Sequence, residues 1–254
     1  MLGAILGDII GSHYERNKIK TKEFELFHPK SKFTDDTTLS LAVAKSILDN
    51  EPYVDNVVDF GLRYFDVGYG SAFRAWLKEE GHKPYNSWGN GSAMRVSPVA
   101  WAYESEEKVL EEARKSAEIT HNHPEGIKGA EATALAIFMA RKGKSKEEIR
   151  ERISTQFEYD LNRTVDEIRP EYKFEVSCAK SVPESIICFL DSDSFEDSIR
   201  NAISLGGDAD TMGAIAGSIA EAYYGIPPEI EERVLEYLNE EFVNILERFK
   251  KEFK

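Results

Sequence analysis

Two short acidic clusters stand out for their chemistry. "TDDT" spans Thr34 to Thr37, and "GGDADT" ends on Asp208, Asp210 and Thr211. Carboxylate and hydroxyl oxygens are hard ligands, suited to Mg²⁺ or Mn²⁺. Each cluster also precedes an apolar run, so each reads equally as a helix N-terminus where acids favour the dipole. Two such clusters in one chain, each with Thr beside Asp, raise the metal reading. If the helices starting near Asp35 and Asp208 pack side by side, their first turns form one oxygen cage. Asp35, Asp36, Asp208 and Asp210 carry enough charge for two divalent ions. The small residues Gly213, Ala214, Ala216 and Gly217 would let neighbouring helices approach closely and bring "TDDT" within reach. Structural zinc is disfavoured by the lack of Cys/His spacing. His121, His123 and Glu125 in "THNHPEG" lack the second His/Cys pair a transition-metal site needs.

Other polar or glycine-rich clusters lie at helix junctions, where loops commonly carry function. "GDIIGSHYE" sets Asp8 and Glu15 seven residues apart, on one face if the helix continues. A buried hydrogen-bonding role is the favoured reading for Asp8. "VGYGS" supplies Gly68, Tyr69, Gly70 and Ser71; backbone N–H groups at such a junction can take phosphate oxygens, though a plain turn would look the same. "SWGNGSAMR" supplies Ser87, Trp88, Gly89 and Asn90 before another helix and also reads as an N-cap turn. An aromatic at Trp88 could pack on a nucleobase or a sugar, or simply on the core. His13, His28 and His82 read as surface or packing residues.

The elements that must position these loops are helices. Leu39, Ala42, Val43 and Ile47 keep helical spacing, as do Val57, Phe60, Gly61, Tyr64 and Phe65. "EATALAIFMARKG" from Glu131 reads as a buried helix stopped by Gly143. Ser145 with Glu148 is a capping box, and Ser194 with Asp197 is a weaker version. Pro227 and Pro228 open the last helix, whose Glu- and Lys-rich side reads as a solvated face. Strand signals are confined to "YKFEVSC" (172–178), inside the longest irregular region, 157 to 181. The expectation is a single all-α, compact domain of about ten helices over residues 1–254.

Bulk properties narrow the partners. Hydrophobic residues make up 41% of the 254 positions, enough for a sizeable core. The net charge of −14 disfavours generic nucleic-acid binding. An anionic ligand would need local donors or bound cations. Cys178 and Cys188 form no framework and suit a reducing compartment. The apolar start "MLGAILGDIIG" lacks a basic leader, and no stretch approaches a membrane span. A cytoplasmic, soluble protein, monomeric by default and free of the membrane, is expected.

Taken together, the motifs resemble the ADP-ribosylglycohydrolases, the group related to the dinitrogenase-reductase-activating glycohydrolase. The resemblance runs in order through "GAILGDIIGSHYE", "FTDDTTLSLAVA", "WGNGSAMRVSPVAWA" and "GGDADTMGAIAGSIAEAYYG". It implies an all-α fold and two Mg²⁺ or Mn²⁺ ions held by Thr34, Asp35, Asp36, Asp208, Asp210 and Thr211. It implies that Glu15, with Asp36 and Asp210, serves catalysis, Glu15 as an acid/base or a gate. Gly68, Tyr69, Gly70 and Ser71 would then lie along a diphosphate, Ser87, Trp88, Gly89 and Asn90 along the ligand, and His121 at a ribose. His123 and Pro124 depart from the better-known members, and His123 is given no role. The implied substrate is an ADP-ribosylated protein or a small ADP-ribose conjugate, cut at the ribose anomeric N- or O-bond. The alternatives are a non-catalytic protein on the same scaffold and a metal-dependent phosphohydrolase.

Overall fold

The computed structural model describes residues 1–253. Fifteen α-helices follow one another among them: α1 (Leu2–Ser12), α2 (Asp35–Asp49), α3 (Tyr53–Arg63), α4 (Ser71–Trp76), α5 (Gly91–Met94), α6 (Ser97–Ala102), α7 (Glu106–Glu118), α8 (Pro124–Arg141), α9 (Lys146–Phe157), α10 (Val165–Ile168), α11 (Cys178–Leu190), α12 (Phe195–Ser204), α13 (Ala209–Tyr224), α14 (Pro228–Arg233) and α15 (Glu240–Glu252). The all-α expectation holds. The helix number exceeds ten because several helices, among them α4, α5, α6, α10 and α14, run only four to six residues, too short for a clear apolar period. No helix among the described residues is long and apolar enough to cross a membrane.

Several local signals act as read. Ser145 and Glu148 form the reciprocal capping box of α9, and Ser194 accepts from the Asp197 N–H to cap α12. Gly143 follows α8 with φ of +73°, a conformation that favours glycine. Two readings need correction. Pro227 and Pro228 open α14, not the last helix; Asn239 caps α15 by accepting from the Phe242 N–H. The stretch 172–178 forms no strand and makes only an isolated antiparallel bridge, Gly89 to Ser177. The irregular region also contains α10, opened by a second capping box, Thr164 with Glu167.

Helix α13 is the buried spine, packed against α1, α8, α11 and α12. Ala209 through Ala220 are all buried. Its small residues do permit a close approach, but the partner is α1, not α2. Residues four apart share a helix face, so Gly3, Gly7 and Gly11 of α1 lie against Gly217, Gly213 and Ala209 of α13. A Cβ on Gly7 would stand 2.0 Å from the Gly213 carbonyl oxygen, and one on Gly213 would stand 2.6 Å from the Gly7 oxygen. Only glycine lets the two backbones touch. Helix α1 also packs on α2, so it connects the two acidic helix starts.

Candidate active site

Asp8 sits in the middle of α1 and is fully buried. Its Oδ2 accepts the Thr34 N–H at 2.9 Å, the Thr37 N–H at 3.0 Å and the Thr37 hydroxyl. Its Oδ1 accepts the Thr34 hydroxyl at 2.6 Å. Thr34 is the N-cap residue of α2 yet makes no side-chain cap bond of its own. Asp8 therefore caps α2 from another helix, satisfying N–H groups that a helix start leaves open. The hydrogen-bonding role expected for Asp8 is the one the structure shows. Burial raises its carboxyl pKa, opposed by the Thr34 and Thr37 hydrogen bonds.

That clamp aims Asp35 and Asp36 across the start of α13. The Asp36 Oδ2 accepts from the Thr211 hydroxyl at 3.4 Å, and the Thr34 Oγ1, whose proton goes to Asp8, lies at the same distance. Asp208 holds the N-cap position of α13 and is engaged instead by Asn90, whose Nδ2 donates to its Oδ2 at 2.8 Å. The "SWGNGSAMR" turn thus does more than start α5, because its N-cap side chain reaches the second acidic cluster. Thr34, Asp36, Asp208, Asp210 and Thr211 are all buried, and Asp35 is half-buried. The two helix starts meet at their first turns, with α1 behind both.

This concentration of acid leaves a charge problem. Burial and the neighbouring carboxylates Asp8, Asp208 and Glu15 push Asp35 up to about 7. Burial pushes Asp208 up to about 6. Asp36 and Asp210 are driven well above the usual range, by burial first and then by neighbouring carboxylates. Asp36 Oδ1 is buried with no hydrogen-bond partner. One oxygen each of Asp8, Asp36 and Asp210 lie within 4.8 Å of one another. Both Asp8 oxygens are already occupied by donors, so the open valences belong to Asp36 and Asp210. An all-oxygen set of this kind, buried, mutually repelling and one oxygen short of a partner, fits a hard divalent cation.

Above the acids opens a cleft of about 800 Å³. Its lining includes Glu15, Gly68, Gly70, Ser71, Ser87, Trp88, Gly89, Asn90 and His121 along with Thr34, Asp35, Asp36, Asp208, Asp210 and Thr211. Helix α1 ends at Ser12, so the Asp8–Glu15 face is not one helix; a turn, with the Glu15 N–H on the Gly11 oxygen at 3.1 Å, carries Glu15 to the cleft. Gly68, at φ +130°, lies beside Asp35, where a Cβ would come within 3.1 Å of Oδ1. Trp88 is 51% exposed on the rim.

Tyr69 departs from the set the sequence suggests. Its ring is 4% exposed, packs on Phe73 at 4.9 Å and does not line the cleft. Gly68 and Gly70, on either side of Tyr69, line the cleft while its ring packs into the core. His123 caps α8 by accepting from the Glu125 N–H at 3.1 Å, which removes it from any metal role with His121.

The sequence reading missed the basic side of the cleft. Arg16, Lys30 and Lys32 are exposed along its edge, and Arg74 lies half-buried with its Nε on the Tyr69 oxygen at 3.1 Å. The signal was the basic run from Arg16 to Lys22 in an otherwise acidic chain. Phe174 and Val176, exposed at 44% and 39%, bring the irregular region into the rim. The Val176 oxygen accepts the Asn90 N–H at 2.8 Å, and the Trp88 oxygen accepts the Cys178 N–H at 3.0 Å, so this rim is sewn to the "SWGN" loop.

Known proteins resemble this chain in sequence and in fold. ADP-ribosylhydrolase ARH3 of Homo sapiens is 29% identical over 306 aligned positions, covering 89% of this chain and 84% of that one. ADP-ribosylarginine hydrolase Tri1 of Pseudomonas putida (strain GB-1) is 26% identical, covering 92% and 72%. A solved structure described as an ADP-ribosylglycohydrolase-related protein complex superposes with a TM-score of 0.75 at 28% identity, covering 100% of this chain and 96% of that one. The family model for ADP-ribosylglycohydrolase matches residues 1–254, and the chain belongs to that family.

Proposed function

We propose that this protein is a divalent-metal-dependent ADP-ribosyl hydrolase. It cleaves the ribose anomeric N- or O-bond of ADP-ribosylated proteins or small ADP-ribose conjugates, acting as a monomeric, cytoplasmic single domain. The observation that carries the reading is the convergence of Asp35, Asp36, Asp208 and Asp210 in one cleft of about 800 Å³. Membership of the family, and relatives named as ADP-ribosyl hydrolases, support the substrate class.

In this reading Thr34, Asp35, Asp36, Asp208, Asp210 and Thr211 hold a pair of Mg²⁺ or Mn²⁺ ions. Divalent ions there supply charge neutralisation, polarisation of ligand oxygens and a lowered pKa for a bound water. The chain's own residues do the rest. Asp8 and Asn90 fix the two acidic loops, so the carboxylates need no rearrangement as the oxocarbenium-like state develops. Glu15, half-buried on the cleft wall, moves the proton that water or the leaving group requires. Backbone groups of Gly68, Gly70 and Ser71, with the edge cations Arg16, Lys30 and Lys32, hold the diphosphate against a net charge of −14. His121, Ser87, Gly89, Asn90 and Trp88 line the ribose and base side.

The test is release of ADP-ribose from an ADP-ribosylated peptide. Asp208→Ala should abolish divalent-dependent release while the helical circular-dichroism signal survives. Full activity in the variant, or in EDTA with the metal verified absent, would overturn the reading. Formation of AMP from ADP-ribose would point instead to a phosphohydrolase. Arginine-, serine- and acetyl-linked substrates assayed side by side identify the linkage.

A further inference from the structure

His121 is reached by a buried hydrogen-bond relay that the proposed chemistry does not itself require. Arg95 follows α5 and is fully buried. Its Nη2 donates to the Ser116 oxygen and to Thr120 Oγ1, each at 2.8 Å. Thr120 Oγ1 lies 2.7 Å from His121 Nδ1. A guanidinium has no lone pair to offer, so the Thr120 oxygen must accept from it. The hydroxyl has one proton of its own, and among the described residues Nδ1 is its remaining partner. Nδ1 is therefore the acceptor.

A neutral imidazole that accepts at Nδ1 carries its proton at Nε2. The ring is kept neutral: burial, then the positive charge of Arg95, hold His121 well below its ordinary pKa. Nε2 faces the loop of the cleft, where a Cβ on Gly91 would stand 3.1 Å away and one on Gly89 3.7 Å. The glycines leave that nitrogen accessible to a ligand.

We propose that Arg95 and Thr120 are positioning residues that lock His121 in the Nε2–H form, so that it donates to an acceptor oxygen of the bound ribose. The tautomer follows from the Arg95–Thr120–His121 hydrogen-bond geometry together with the neutrality of the buried ring; the ribose as acceptor rests on the proposed function. Arg95 acts at a distance, through Thr120, and neither residue needs to touch the ligand.

Long-range ¹H–¹⁵N NMR of the ligand-free full chain, with His121→Ala used for assignment, reads the tautomer directly. The Nε2–H pattern is expected, and an Nδ1–H pattern would overturn the proposal whether or not any ligand binds. ADP-ribose binding, measured by calorimetry in Mg²⁺, reads the consequence. Thr120→Val should weaken binding about fivefold, the scale of one net hydrogen bond, and Thr120→Ser should restore it. In a His121→Ala background, Thr120→Val should cost nothing further. Unchanged affinity in Thr120→Val beside a weakened His121→Ala would sink the relay. ADP-ribose that fails to bind the wild type would sink the functional reading, leaving the tautomer result to stand or fall by itself.

Discussion

Gly7 and Gly213 bring α1 and α13 into backbone contact: each would place a Cβ within 2.6 Å of the other's carbonyl oxygen. This contact sets the site, because α1 carries Asp8 and α13 begins at the Asp208 cluster. Gly7→Ala gains helix propensity of about 1 kcal/mol but must force the helices apart. Overpacking of this kind costs about 1–3 kcal/mol or more, so the urea midpoint should fall. Gly70→Ala is the control. Its Cβ would meet nothing within 4 Å and its φ is −59°, so stability should hold or rise slightly. A Gly7→Ala midpoint equal to that of the wild type would show that the interface tolerates separation.

Asp8→Asn keeps shape but replaces an acceptor oxygen with a donor. One of the Thr34 or Thr37 donors then loses its partner in a fully buried setting, at about 1–3 kcal/mol. The "TDDT" loop should shift with it, and Mn²⁺ affinity in a calorimetric titration should drop. Wild-type affinity together with a wild-type denaturation midpoint would remove Asp8 from its clamping role.

Proton and cation should compete for the acids. Asp35 is pushed up to about 7 and Asp208 to about 6, against an ordinary value of 3.8. Between 3.8 and about 7 the folded chain binds more protons than the unfolded chain, so the metal-free contribution of these groups to stability falls as pH rises. It is fully present below 3.8 and lost through about 7. A divalent cation should reverse that loss by binding only the folded, ionised site. The gap in Tm between protein in Mg²⁺ and protein in EDTA should therefore be wider at pH 8 than at pH 5. Other titrating groups are common to both arms. A gap that stays constant would argue against these carboxylates as the cation site.

Much of this site can be read in the chain because its parts are local. "TDDT" and "GGDADT" each occupy one helix start, and the capping signals of Ser145 and Ser194 act within four residues. What cannot be read is pairing across the chain. Gly213, Ala214, Ala216 and Gly217 announce a close approach, but nothing local says that the partner is Gly7 and not a residue of α2. The contact of Asn90 with Asp208 joins positions 118 residues apart. Tyr69 is hard to place for the opposite reason: its neighbours Gly68 and Gly70 reach the cleft, while its own ring is buried against Phe73. Short helices such as α10 escape periodicity, although its Thr164–Glu167 box was there to be read.

The segment that carries Glu15 has no regular structure from His13 to Phe33, so something else must hold it. Lys20 Nζ donates to three carbonyls from distant parts of the chain: Arg169 at 2.7 Å, Tyr172 at 2.6 Å and Leu205 at 2.6 Å. Its three N–H donors are thus all used. The first two carbonyls belong to the rim region and the third precedes the "GGDADT" loop. Arg200 holds the far side of the segment by donating to the Lys22 and Phe24 oxygens at 2.8 and 2.9 Å. Lys20→Met keeps the aliphatic stem and removes every donor. Two effects are expected: faster tryptic cleavage after Lys18 or Lys22, and a severalfold drop in ADP-ribose release with an unchanged helical signal. Ammonium, a cation that fits the place left by Nζ beside the same carbonyls, should recover part of the activity. If the variant resists trypsin as the wild type does and keeps full activity, Arg200 alone suffices to hold the segment and Lys20 is dispensable.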